Sequence, residues 1–346
     1  MPGLTISGHG GLDRIEARDD LPLPTLSSSA QVRVRVLAAA LNHLDLFVVG
    51  GLPNVRITPP WIIGSDAMGI VDQVGDGVTD VAVGDTVLIN PGLSDRTCSY
   101  CLAGEQPLCP HFSILGEQLP GTMAEYLVVP AVNVRCVAPD TDPAEGAAFT
   151  LSTLTAWRML TSRARLLAGE HVLIWGIGGG VALACLQIAK LLGAQVTVTS
   201  GSDAKLERAV ALGADATINH RGIDVGREMR TRTAKRGVDV VVDTVGEATW
   251  SQSLGALGRR GRLVTCGGTS GPMVTTDVRR LFWNQWSILG STMGNDAEFD
   301  AIVEQFRAGR LRPPVDHVYA LTDGRQAFER MAGAEQFGKL VVRIAS

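Results

Sequence analysis

Apolar and polar residues alternate in short runs through the first 150 positions. Residues 31–39 read QVRVRVLAA, 69–75 read GIVDQVG and 124–130 read AEYLVVP. A period of two turns one face of each strand toward a core and the other toward water. Gly, Pro and Asp separate the runs. The pattern predicts half-buried strands in a barrel-like or irregular sheet. From about 151 to 290 the rhythm changes. Apolar segments HVLIW (171–175), QVTVTS (195–200), DATIN (215–219), DVVVDTV (239–245), GRLVTCG (261–267) and SILGST (287–292) alternate with helical stretches. That alternation predicts a parallel sheet with crossover helices. A helix near 296–309 and a last strand, KLVVRIA (339–345), return to the earlier style. Two domains are expected: a β-rich one from 1–150 with 291–346, and an α/β one from 151–290.

The chain has 346 residues, 45% of them hydrophobic and 19% charged, enough for two domains with sizeable cores. A net charge of −4 gives no reason to expect nucleic acid or an acidic membrane as partner. The basic run Arg227, Arg230, Arg232, Lys235, Arg236 reads as the solvated face of one helix. The N-terminus has no charged-then-apolar-then-small order, so no secretory signal is visible. Cys136, Cys185 and Cys266 lie scattered in apolar surroundings, as in a cytoplasmic protein with reduced thiols. The most apolar stretch, 171–189, approaches membrane-spanning length, but glycines interrupt it. A strand, a turn and a helix account for it better than a membrane span.

The other three cysteines lie in GLSDRTCSYCLAGEQPLC, residues 92–109. Asp95, Cys98, Cys101 and Cys109 recur at short spacing between Pro91 and Pro110. Thiolates bind zinc, and a carboxylate oxygen does so at about 2.0–2.2 Å. Four such donors in one loop can close around a tetrahedral ion. His111 is an alternative fourth ligand. A closed site has no open position for substrate, so this zinc is expected to be structural.

The strand 171–175 runs into Gly176-Ile177-Gly178-Gly179-Gly180-Val181-Ala182 and then a helix through Leu192. Glycines let the backbone approach a pyrophosphate, whose charge rests at the positive helix N-terminus. An acid about 20 residues further on would bind the ribose 2′-hydroxyl and repel a 2′-phosphate. There the chain reads Ser200-Gly201-Ser202-Asp203-Ala204-Lys205, with Gly201 where the acid is expected. Ser202 can donate a hydrogen bond or cap the next helix, and Lys205 can add positive charge. NADPH is therefore favoured over NADH, with Asp203 the feature that argues the other way.

The metal loop, the glycine turn and the order of domains resemble the medium-chain dehydrogenase/reductase superfamily of zinc alcohol dehydrogenases and quinone oxidoreductases, over nearly the whole chain. The resemblance implies a GroES-like β-rich catalytic domain and a Rossmann-type doubly wound parallel sheet. Family members usually have four cysteines in the zinc lobe (here 91–111), and Asp95 stands where the first is expected. Zinc alcohol dehydrogenases also hold a catalytic zinc through a Cys, a His, and a later Cys or Asp. The matching segments here carry Asn42, Ser65 and Leu151 instead. Leucine has no donor atom, and an amide and a hydroxyl are poor zinc ligands. One zinc per chain is expected; a rearranged second site from His43, Asp45 and Asp66 is the alternative.

Without a Lewis acid, hydride transfer suits acceptors that are already electron-poor. The segment LNHLD resembles the zinc-free quinone oxidoreductases. The resemblance thus implies an NADPH-dependent reductase of quinones or carbonyl-conjugated alkenes. A zinc alcohol dehydrogenase with an atypical site and a non-enzymatic NADPH-binding protein are the rivals. Asn42 is expected to offer its amide to a substrate oxygen, or else to satisfy loop backbone. Asp45 is expected to cap a local helix. Ser65 and Thr155 are expected at the nicotinamide end. His220, beside Arg221, matches the place of a relative's Tyr near the 2′-phosphate. Val245, Gly267, Gly268 and Thr269 end parallel strands, where ligands bind in such sheets. No side chain stands out as proton donor, so water is expected to serve. Relatives form dimers and tetramers, and the run Phe282-Trp283-Asn284-Gln285-Trp286 is expected in a core or a subunit interface.

Overall fold

The strand Gln31–Ala40 is the spine of the first structural unit. Its valines 32, 34 and 36 are fully buried. The intervening Arg33 pairs with Asp72 at 2.6 Å and lies over the ring of Tyr126. The alternation seen in the sequence is thus the alternation of core and rim. One flank of this strand pairs antiparallel with Asp66–Val74. Its early residues also pair with Tyr126–Pro130, and Ala38–Ala40 pair with the last strand, Lys339–Arg343. A strand from the first forty residues and the last strand therefore share one seven-stranded sheet.

The computed structural model describes residues 1–53 and 55–345. It divides into Met1–Ser152 with Asn295–Ser346, and Thr153–Gly294. In the second unit six parallel strands are ordered Ala216–Asn219, Gln195–Ser200, His171–Ile174, Val238–Val242, Leu257–Thr265, Ser287–Gly290. Counted along the chain this is 3-2-1-4-5-6, the doubly wound order. All four residues of His171–Ile174 are buried, as helices covering both faces require.

Sequence and structure part at three places. The strand expected at 261–267 begins at Leu257, where exposed Arg259 and Arg260 hide it and Arg260 has φ +60°. The strand expected to reach 245 stops at Val242. Next to it, buried Asp243 accepts from the Val245 and Gly246 N–H groups, Thr249 Oγ1 and Ser253 Oγ, which bends the chain away. The basic run is only partly helical. Val225–Arg232 is a helix, while Ala234 and Lys235 have positive φ, so Lys235 and Arg236 lie beyond its end.

Candidate functional site

Three groupings of the expected residues can be built from the chain upward. The first is the nucleotide turn. Gly176 has φ +68° and Gly178 φ +132°, conformations that disfavour any side chain. Ile177, the bulky member, is buried, and its N–H donates to Thr199 O at 2.8 Å. A Cβ on Gly179 would meet nothing within 4 Å, so the space beside the turn is open. The helix Gly180–Leu191, with Val181 in its first turn, has Gly179 as N-cap and no side-chain cap. Its first N–H groups and positive end are thereby left for an anion, and the turn fits a pyrophosphate.

The end of the second strand is close-knit. Ser200 is buried, and its Oγ accepts from Ser202 N–H at 3.2 Å. Ser202 is the N-cap residue of Asp203–Ala211, but its hydroxyl makes no cap bond. Lys205 lies in that helix's first turn. Asp203 Oδ1 accepts from Asn219 Nδ2 at 2.7 Å, which engages the acid that argued against a 2′-phosphate. His220 N–H donates to Ser200 O. A Cβ on Gly201 would stand 3.1 Å from Arg221 Nε and 3.2 Å from His220 Nε2. The space where an acid was expected is covered by a guanidinium and an imidazole. Burial, then the Arg221 charge, pushes the His220 pKa below its usual value.

In the same unit the loops after the fourth and fifth strands are tied together. Thr269 N–H donates to Thr244 O, and Ser270 N–H to Val245 O at 2.8 Å. Gly267 and Thr269 are exposed and Gly268 is half-buried. Thr155 is buried, with Oγ1 3.9 Å from Met293 Sδ.

The second grouping is the metal loop. One donor atom from each of Asp95, Cys98, Cys101 and Cys109 lies within 4.8 Å of the others. Thiolates about 2.3 Å from one ion stand about 3.8 Å apart, so a small change of rotamers closes the site. Asp95 Oδ1 accepts the Cys98 and Thr97 N–H groups at 2.9 Å. These bonds, with smaller ones from the Cys109 and Cys101 thiols, hold its carboxyl well below the usual range. The donor set fits zinc. His111 is outside it; its N–H donates to Cys109 Sγ. Two contacts invisible in the sequence anchor the loop to the helix Asp296–Arg307: Arg96 with Asp296 at 2.5 Å, and Asn295 Nδ2 with Gly104 O at 2.8 Å.

The third grouping is a buried polar network. The helix His43–Gly50 starts just after the spine strand, with Asn42 as N-cap. Asp45 Oδ2 accepts from Asn42 N–H at 2.7 Å, the reach-back half of a capping box. Burial pushes the Asp45 carboxyl up to about 7, against the lowering effects of the Asn42 N–H and the Lys339 charge. Sheet register then sets Ala40 opposite both Asp66 and Val341. Asn42, Asp66 and Lys339 converge as a result. Lys339 Nζ donates to Asn42 Oδ1 at 2.6 Å and to Asp66 Oδ2 at 2.8 Å. Asn42 Nδ2 donates to Asp66 Oδ2 at 2.9 Å. Asp66 Oδ1 accepts from Thr150 Oγ1 and Leu151 N–H, both at 2.6 Å.

Lys339 and Asp66 are 4% and 0% exposed, so this is an internal ion pair. Ser65 is fully buried and its hydroxyl donates to Leu115 O at 2.7 Å. His43, Asp45 and Asp66 are not gathered as a metal site. Among the described residues the Asp95 group is the one cluster of three or more such donors. Sequence reasoning missed Lys339. Its signal was a lone lysine opening an apolar strand, since buried lysines are almost always paired.

The model of the zinc-binding dehydrogenase family matches residues 180–308, and that of the alcohol dehydrogenase GroES-like domain matches 28–139. An NAD-dependent alcohol dehydrogenase of Sulfolobus acidocaldarius is 30% identical over 333 residues, covering 94% of this chain and 95% of that protein. An acryloyl-coenzyme A reductase of Metallosphaera sedula is 30% identical over 351 residues, covering 99% of both. A crystal structure of an NAD-dependent alcohol dehydrogenase superposes with TM-score 0.95 at 40% identity, over 100% of both chains. The chain belongs to the zinc-binding dehydrogenases of the medium-chain dehydrogenase/reductase superfamily. It is an oxidoreductase of the NAD(P)H-dependent class. Among its described residues no helix is long and apolar enough to cross a membrane.

Proposed function

We propose that this enzyme reduces a quinone or a carbonyl-conjugated alkene with NADPH, and that its one zinc is structural. The carrying observation is the Lys339 ammonium between Asn42 and Asp66. Where zinc relatives place metal ligands, this chain has an amide, a hydroxyl spent on Leu115 O and a leucine, beside a buried positive charge. A dication there would have to compete with Lys339 for the Asp66 carboxylate and would be repelled by the ammonium.

NADPH, when bound, would supply the hydride for the electron-poor acceptor, and water the proton that completes the reduction. The chain's own residues bind and orient. Gly176, Gly178, Gly179, Gly180 and Val181 cradle the pyrophosphate. Ser200, Gly201, Ser202, Lys205 and His220, with Arg221, receive the 2′-phosphate. Thr155, Val245, Gly267, Gly268 and Thr269 flank the ribose and nicotinamide. Asn42 donates to the acceptor's carbonyl oxygen, where charge develops. Asp45 and Ser65 hold the backbone around it. Asp95, Cys98, Cys101 and Cys109 hold the zinc. The name of the Metallosphaera relative, a reductase of a conjugated alkene, agrees with this reading; the NAD-dependent name of the Sulfolobus relative does not share the cofactor choice.

We also propose a homodimer or homotetramer in the cytoplasm. The exposed Met273, Val278, Phe282 and Trp283, beside the edge strand Ser287–Gly290, support self-association. Cys136, Cys185 and Cys266, the free thiols outside the metal loop, agree with a reducing compartment.

The test is a turnover screen of the purified protein. NADPH and NADH are each offered with 1,4-benzoquinone and 2-cyclohexenone, and NADP⁺ and NAD⁺ with primary and secondary alcohols. The reading expects NADPH consumption with an enone or quinone. Alcohol oxidation that exceeded both reductions would overturn it, and cofactor binding with no turnover would favour a non-enzymatic role.

A further inference from the structure

Asn42 has a definite amide orientation because of what surrounds it. A carboxamide can be turned over, exchanging its oxygen and nitrogen, and its neighbours decide which way it stands. Here Oδ1 faces an ammonium at 2.6 Å and Nδ2 faces a carboxylate at 2.9 Å. The turned-over form would set N–H against Lys339 and a carbonyl oxygen against Asp66, two repulsive contacts. Asp66 cannot swing away, since its two oxygens already hold Lys339, Asn42, Thr150 and Leu151. Among the described residues, the second Nδ2 hydrogen of Asn42 has no protein acceptor.

We propose that Lys339 is a positioning residue for reduction: its ammonium locks the Asn42 amide so that the free N–H is presented to the acceptor's carbonyl oxygen, and strengthens that donor. The strengthening is electrostatic. A cation on Oδ1 draws electron density from the amide nitrogen, and hydrogen bonds in such a chain reinforce one another at low local dielectric. Lys339 itself need not touch substrate. The idea rests on the reading of Asn42 as the donor for reduction, so the test separates the two.

Removing the ammonium alone would leave Asp66 unpaired in the interior, so the informative variant removes the pair, K339M/D66N. With NADPH and 2-cyclohexenone, loss of one oxyanion donor costs on the order of 10²–10³ in kcat. A mis-set donor should cost less, about 10–100-fold, with KM for NADPH within about twofold. The loss should be smaller with 1,4-benzoquinone, which disperses charge itself. K339R should recover most of it. N42A should lower kcat at least as much, and adding K339M/D66N to N42A should cost little more, because the two act through one amide.

A kcat that stays normal in K339M/D66N but falls in N42A would overturn the positioning role and leave the Asn42 donor standing. A normal kcat in N42A would overturn the donor and the positioning role together. Equal further losses on the N42A background would assign Lys339 a separate, structural effect and overturn the proposal. A second readout needs no turnover. The side-chain amide protons of Asn42, identified by their loss in N42A, should give separated, slowly exchanging NMR signals. These should collapse and exchange faster in K339M/D66N but persist in K339R. Unchanged signals in K339M/D66N would also overturn the lock.

Discussion

A Cβ added to Gly201 would stand 3.1 Å from Arg221 Nε. Glycine therefore keeps open a space that a guanidinium already faces. Gly201→Asp would put a carboxylate against Arg221, neutralise it and repel a 2′-phosphate. Each charge-assisted hydrogen bond lost is worth about 1.5–3 kcal/mol, roughly 10–100-fold in affinity. The ratio of kcat/KM for NADPH over NADH should fall by that factor, and Arg221→Ala should weaken NADPH alone. An unchanged ratio in both variants would remove this site from cofactor choice.

Metal analysis of the protein as purified should find one zinc per chain. Cys109→Ser and Asp95→Ala should each retain far less, since even outer-shell changes cost roughly 10–100-fold in metal affinity. Asp95→Cys should keep the ion, because it restores a thiolate. A chelator should lower Tm in the wild type much more than in Cys109→Ser. Two tightly held zincs per chain would contradict the single-site reading.

Asp45 carries a pH signature. Burial pushes its carboxyl up to about 7, whereas an unfolded Asp titrates near about 3.9. The folded state thus holds the proton more tightly, and stability from this group is lost as pH rises through about 4 to 7. Asp45→Asn cannot titrate. Urea midpoints measured from pH 5 to pH 8 should shift in favour of the variant relative to the wild type as pH rises. A difference that did not change with pH would refute the buried, protonated carboxyl.

Trp283 and Phe282, 75% and 64% exposed, sit on a helix beside an unpaired sheet edge. Aromatic anchors of this kind carry much of an interface's energy. Trp283→Glu with Phe282→Glu should convert the assembly to smaller species in light scattering, without lowering the helix content. A wild-type protein that is monomeric at micromolar concentration would remove the interface altogether.

Much of the architecture was legible along the chain. QVRVRVLAA alternates, and its valines are the buried ones. The apolar segments from 171 onward became the six parallel strands, and the interval between the first of them and the next helix is the glycine turn. Misreadings came where a polar side chain broke a local rule for a distant reason. Arg259 and Arg260 hid the start of one strand, and Asp243 ended another by collecting four donors from the residues that follow it.

By itself the sequence determined what depends on neighbours in the chain: strand and helix periods, the turn at Gly176, and a candidate metal loop whose donors all lie within one short segment. Only tertiary structure decided the environment of Asn42. Its partner Lys339 is 297 residues away and meets it because one end of the chain pairs with a strand near the other. Spacing along a chain says nothing about such a meeting. The sheet register brings the lysine and Asp66 together, and burial makes their pairing obligatory, since a charge taken out of water must be matched by an opposite one.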